Sequence, residues 1–191
     1  MRSERSKSLR WALKALRTEW RDFWFPYHFD LVPEAGPKDS LHYYVFSDRL
    51  SWDAMRLDGN GIPLYVGRLF GATYSPSYIA WYGLVKLEEY LRGSNPEGRD
   101  IFLTQVSWLA NNCLRHDDGT VVWACTFDWQ EGDSFVKAPW PSAIAQGHAM
   151  SALVRAYRIT HDETFLGLCR GAAKAFCKPI PEGGIRGLAD G

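Results

Sequence analysis

The 191-residue chain is 46% hydrophobic and 23% charged, the balance of a globular protein rather than a disordered or membrane-spanning one. Its 22 Lys and Arg match 22 Asp and Glu, for a formal net charge of zero. A nucleic-acid binder usually carries a basic excess, so this balance argues against nucleic acid, while an acidic sugar could still be held by a local cleft of Arg and Lys. Aromatic residues reach 15%, with nine Trp and nine Tyr, a surplus that suits sugar stacking and a bulky core equally well.

Residues 3–24 read as a basic amphipathic helix, with Leu9, Leu13, Leu16, Trp20 and Trp24 on one side, ended by Pro26 and Pro33. Docking on its own domain is the expected role, ahead of lying on a membrane surface. The N-terminus lacks an apolar h-region and no run of about 18 apolar residues occurs, so the expectation is a cytoplasmic chain with neither secretion signal nor membrane anchor. His42–Phe46 is a short β candidate, and Asp58-Gly59-Asn60-Gly61 is a strong turn signal before a second strand over 62–66. Pro76 opens a helix with Ser75 at its N-cap, running to Leu91 before Gly93-Ser94-Asn95-Pro96. A further helix over 99–115 carries Phe102, Val106, Leu109 and Cys113 on one stripe. Asp117-Asp118-Gly119 turns the chain into a strand over 120–123. Helices come next over 141–159 and 162–177, the second with Phe165, Cys169, Ala172 and Phe176 inward.

Cys113, Cys125, Cys169 and Cys177 show no C-x-x-C or zinc-like spacing. Small buried thiols are expected, with no disulfide framework, no metal site and no cofactor.

An internal repeat is visible. Ile79-Ala80 corresponds to Ile144-Ala145, and Ile101-Phe102-Leu103 to Thr164-Phe165-Leu166. Each copy is a helical hairpin, and repeated hairpins stack because neither buries its apolar face alone. The expected fold is mainly α, an incomplete α/α toroid with a small N-terminal β element. Its expected division is an N-terminal helix and linker over 1–40 and a toroid domain over 41–191. A ring needs more hairpins than this, so the chain reads as a fragment or as one whose open end is covered by a partner; a homodimer fits that expectation.

The most informative stretch runs from Pro139 to Tyr157. Pro141 suits the first helical position, where its missing N–H costs nothing. Ala143, Gly147, Met150, Val154 and Tyr157 share one helical face, and Ser142 and Gln146 share the neighbouring one near the positive helix end. Spacing alone reads this as a core helix with a polar N-terminus. His148, Ser151, Arg155 and Arg158 form a separate stripe, read as a solvated or inter-helix face. Asp128 and Glu131 are carboxylates of the kind that glycoside chemistry uses, though acidic loop residues are usually just solvated.

Three ordered segments resemble the D-glucuronyl C5-epimerases: Asn60-Gly61-Ile62-Pro63-Leu64; Tyr74-Ser75-Pro76 with Ile79-Ala80 and Tyr82-Gly83-Leu84; and Ser142-Ala143-Ile144-Ala145-Gln146-Gly147 with Leu153-Val154-Arg155-Ala156-Tyr157. Together they span roughly residues 40–180. The resemblance departs at Pro141, where an aromatic is common, and at His148, where Gln is common. It also implies a further C-terminal portion with a Glu-Tyr-Pro motif, catalytic tyrosines and an arginine, which Gly191 precedes.

The resemblance implies an isomerase that inverts C5 of glucuronate units in a heparosan-like acidic polysaccharide. The C5 proton lies α to a carboxylate, so its removal piles charge on an anionic group that the site must offset. An acid and a base on opposite ring faces are needed. The resemblance places Tyr74 in an acid/base role and Trp140, Ser142 and Gln146 against the sugar; Tyr78, one turn into its helix, is a further substrate-binding candidate that no motif position claims and whose spacing reads as core or rim. A lyase or hydrolase on the same toroid, or a non-catalytic acidic-sugar-binding module, are the alternatives.

Overall fold

A computed structural model describes residues 30–31, 41–42, 45–46, 55–67, 71–131 and 134–187. The expected N-terminal helix over 3–24 lies outside these residues. Four α-helices dominate the described part: α1 (Pro76–Leu91), α2 (Gly98–Asn111), α3 (Ala143–Thr160) and α4 (Glu163–Ala175). The mainly-α expectation therefore holds. The β structure is a set of two-stranded antiparallel ribbons. β1 (Asp30–Leu31) pairs with β2 (Val45–Phe46), and β3 (Tyr65–Gly67) with β4 (Gly71–Thr73), Tyr65 lying opposite Thr73. Between the helical hairpins, β5 (Leu114–Arg115) pairs with β6 (Val121–Val122), β8 (Trp129–Glu131) with β9 (Ser134–Val136), and β7 (Ala124–Cys125) with β10 (Trp140–Pro141).

Local chemistry sets the helix ends. Pro76 sits in the first turn of α1 after an extended Ser75, whose side chain makes no capping bond. Gly93, at φ +75°, ends that helix where a side chain would be strained. In α3 the N-cap is Ser142, whose hydroxyl accepts the Ala145 N–H at 3.2 Å. Pro141 is not the first helical residue; it pairs with Ala124 in β10, and the helix begins two residues later. The helix closes at His161 in the left-handed region, φ 59°, whose N–H reaches Tyr157 O at 2.7 Å. Asp162 caps α4 by accepting the Thr164 N–H at 2.9 Å.

α1 packs on α2, α3 on α4, and α1 on α3. Two links show that α1 and α3 run parallel. Near their starts, Ser77 Oγ lies 3.1 Å from His148 Nδ1. Near their ends, Arg155 donates to the carbonyls of Leu41 and His42, and His42 Nδ1 lies 3.1 Å from the buried Glu88. The N-terminal ends of both helices thus open on the same side.

The core holds Ile79, Leu87, Phe102, Val106, Leu109, Trp123 and Leu153, all essentially without solvent contact. Burying each such side chain stabilises the fold by about 1.5–3 kcal/mol. The expected stripe of α2 is the buried one, with Cys113 half-buried at its end. In α4, Cys169 and Ala172 are buried as expected, whereas Phe176 is exposed. The buried face of α3 differs from the expected one: it consists of Ala145, Gln146, Ala149, Ala152, Leu153 and Ala156, while Gly147 and Val154 face solvent. Four alanines in register let neighbouring helices approach closely, and that outweighs burial of the larger Val154. Cys125 and Cys169 are free and buried, and desolvation pushes both thiols up to about 11. No helix of the described residues is long and apolar enough to cross a membrane.

Two glycines of adjacent helices make opposite predictions. A Cβ on Gly147 meets nothing within 4 Å, whereas one on Gly171 would sit 2.6 Å from Gly119 O and 2.7 Å from Val121 Cγ2. In urea unfolding, Gly147→Ala should gain up to about 1 kcal/mol from helix propensity. Gly171→Ala should lose about 1–3 kcal/mol by overpacking.

Candidate functional site

The parallel starts of α1 and α3, with the β ribbons between residues 112 and 142, bring several of the expected residues together. Behind this end lies Gln146, which is fully buried. Its Nε2 donates to Val121 O at 2.6 Å and to Ala172 O at 3.1 Å, and its Oε1 accepts the Trp123 N–H at 3.2 Å. Both amide hydrogens are spent on backbone, and no part of the side chain meets solvent. The expected sugar contact of Gln146 is therefore replaced here by a bracket joining α3 to the β6 segment and α4. Ser142, half-buried, likewise spends its oxygen on the helix cap.

In front of that bracket lies a wall of rings. The Tyr65 ring centroid is 4.7 Å from Tyr78, 5.5 Å from Phe127 and 6.2 Å from Trp129. Phe127 in turn meets Trp140 edge-on at 5.8 Å and Trp129 at 6.4 Å. The Trp140 indole N–H donates to Phe127 O at 2.7 Å, which fixes the plane of that ring. Phe127 is the buried hub; Tyr65, Trp129 and Trp140 are half-buried and Tyr78 is exposed. Two residues singled out in the sequence, Tyr78 and Trp140, thus meet through two that were not, Tyr65 and Phe127. The aromatic surplus was the available signal for these partners, but it cannot say which rings converge.

Tyr74 turns elsewhere. Its hydroxyl donates to Asp58 Oδ2 at 2.7 Å and its ring lies 5.4 Å from Trp108. Asp58 is held below the ordinary carboxylate range by the Ile62 N–H and by the Tyr74 hydroxyl. Tyr74 is pushed above the ordinary phenol value by that hydrogen bond to Asp58. Beside the same turn is a cavity of about 460 Å³, with Asn60, Gln105 and the carboxylates of Glu97 and Asp100 in its lining. Those two acidic groups disfavour an anionic sugar ring there.

His148 bridges the helices rather than the solvent, with Ser77 at its Nδ1 and the Trp81 ring edge-on at 5.1 Å. Burial lowers its pKa, partly opposed by the Ser77 hydrogen bond. Arg155, on the same stripe, donates to the carbonyls of Leu41 and His42, so His148 ties α3 to α1 while Arg155 ties α3 to the segment 41–42. Asp128 accepts the Ala138 N–H at 2.9 Å. Among the described residues, no group of three or more His, Cys, Asp and Glu could hold a metal ion.

Residues 116–190 match the family model described as D-glucuronyl C5-epimerase C-terminus. Over 111 residues, 57% of this chain, the sequence is 33% identical to a D-glucuronyl C5-epimerase of Caenorhabditis elegans. The chain spans 17% of that protein's length. The segment from Ser142 to Tyr157 lies inside the family match, and the segments over 60–64 and 74–84 lie before it.

Two substitutions test the site's framework. Gln146→Ala removes the side-chain partner of two carbonyls and one N–H in the core, so thermal or urea unfolding should show a loss of about 2–3 kcal/mol. For His148, the unfolded chain binds the proton more readily than the native one, so stability rises with pH across the shifted range. It is complete above the ordinary imidazole value of 6.5 and falls as pH drops toward the lower folded value. Melting temperatures recorded from pH 7.5 to 5 should therefore decline more steeply for the native protein than for His148→Gln.

Proposed function

From the match of residues 116–190 to the family model described as D-glucuronyl C5-epimerase C-terminus, we propose that the protein is an isomerase inverting C5 of D-glucuronate units in a polysaccharide. That match is the observation that carries the reading. The wall of rings supports it, because a pyranose presents apolar C–H faces to flat aromatic side chains. In this reading Trp140 and Tyr78 contact the sugar, joined by Tyr65 and Trp129. The hairpins α1–α2 and α3–α4 are two units of an α/α toroid over residues 41–191, with α1 and α3 as inner helices. A homodimer is the proposed assembly that would cover its open edge.

The reaction needs a proton removed from C5 on one ring face and returned on the other. Tyr74 is the proposed group on one face. Its phenol is polar, accessible and anchored, as a proton-transfer group requires. Carbanionic charge at C5 spreads into the uronate carboxylate, so cationic or strongly donating groups must meet that carboxylate for the barrier to fall. Ser142 and Gln146 act from behind, by fixing where α3 begins and how it lies on the β ribbons.

Incubation with a heparosan-like polymer in heavy water tests the proposal. Deuterium should enter C5, seen as loss of the H5 proton signal, between about pH 6 and 9, where such proton-transfer groups operate. New absorbance of an unsaturated uronate would instead select a lyase. Polymer binding without any exchange would select a binding module. Trp140→Ala and Tyr78→Ala should each weaken polymer binding by about 1 kcal/mol, the scale of one ring contact.

A further inference from the structure

The turn before β3 is built to present a carboxylate. Asp58 Oδ1 accepts the N–H groups of Asn60 at 2.8 Å and Ile62 at 2.9 Å, and the Asp58 N–H donates to Ile62 O at 2.9 Å. Gly61, at φ +76°, closes the turn. Gln105 of α2 donates to Gly61 O at 3.0 Å and so anchors the turn to that helix. One carboxylate oxygen, Oδ2, is left to accept the Tyr74 hydroxyl at 2.7 Å. The Tyr74 ring lies against Trp108, one turn beyond Gln105 on α2. Both members of the pair are therefore referenced to the same rigid element.

We infer that Asp58 is a positioning residue for Tyr74: it fixes the place of the phenol and holds it neutral, so that Tyr74 meets the sugar as the protonated partner, its O–H leaving Asp58 as the proton passes to C5 and water then reprotonating the phenolate, while another group abstracts the C5 proton. This rests on the catalytic reading of Tyr74 given above. A phenolate at this place would lose its hydrogen bond to Asp58 and face a like charge, while the Trp108 ring from α2 brings no compensating cation. The upward shift of the Tyr74 pKa has this cause. The carboxylate in turn needs no reorganisation to do this work, because two backbone amides already hold it.

The test is an NMR titration of ¹³Cζ-labelled tyrosine in the 191-residue chain, with the Tyr74 signal assigned by Tyr74→Phe. In the native protein Tyr74 should titrate above the ordinary phenol value of about 10. Asp58→Asn keeps an acceptor oxygen for Asn60 and Ile62 and removes the charge, so the Tyr74 titration should move down toward that value. The alkaline limb of C5 exchange should move down with it. A native Tyr74 titrating at or below the ordinary value overturns the inference without any variant. So does an unchanged titration in Asp58→Asn, or a titration that moves while the pH profile stays. Should Tyr74→Phe retain full exchange, the catalytic reading of Tyr74 is what fails, and the titration still reports the pair.

Discussion

Three backbone groups from two segments depend on one buried amide. Val121 O, Trp123 N and Ala172 O all end on Gln146, so α3, the β6 segment and α4 share a single polar node inside an apolar core. A buried backbone group without a partner costs about 1–3 kcal/mol, so the node is either complete or strongly destabilising. Its position also explains neighbouring features. Trp123, held through its backbone by Gln146, sends its indole N–H to Leu109 O and so couples the node to α2. Gly171 is bare because Gly119 O and Val121 pass too close for a Cβ. The strand segment is thus pinned from both sides, and the chain beyond it starts from a fixed point.

The aromatic wall grows from that fixed point. Residues 124–141 double back so that β10 lies on β7, with Trp140 opposite Cys125. That register places Trp140 against Phe127, and the hydrogen bond to Phe127 O then sets its plane. Tyr65 and Tyr78 arrive from β3 and α1, which parallel packing on α3 brings to the same end. The rings converge through long-range packing, and no local sequence rule links them. A sugar-binding role for this wall is a proposal that joins the family match over 116–190 to the geometry of its neighbours.

The parts legible in the sequence are those written in short-range chemistry. Pro76 after Ser75, the stripe of α2 and the turn at Asp58–Gly61 each come from spacing of a few residues, and each appears in the structure. The face of α3 was not legible, because Ala143, Gly147 and Met150 compete with Ala145, Ala149 and Ala152 at equal periodicity. Hydrophobicity cannot rank two sets of small residues; contact with α1 and α4 decides between them. The same holds for Gln146. A glutamine near a helix start can face a ligand or a strand's carbonyls, and only the position of Val121 and Ala172 selects the second. Tyr74 was legible as a residue of interest, but its partner Asp58, sixteen residues earlier, appears only once the turn is folded.

Two surfaces beside α1 differ in character, and their difference bears on any acidic substrate. The aromatic wall offers flat rings, while the cavity beside Asn60 and Gln105 carries Glu97 and Asp100. An anionic polymer is repelled by the second and can stack on the first. Titrating the protein with a glucuronate-containing oligosaccharide, while tracking tyrosine and tryptophan ring signals by NMR, tests this most directly. The predicted result is saturable shifts at Tyr65, Tyr78, Trp129 and Trp140. Shifts confined to residues around the acidic cavity, with those four rings unmoved at saturation, would contradict it.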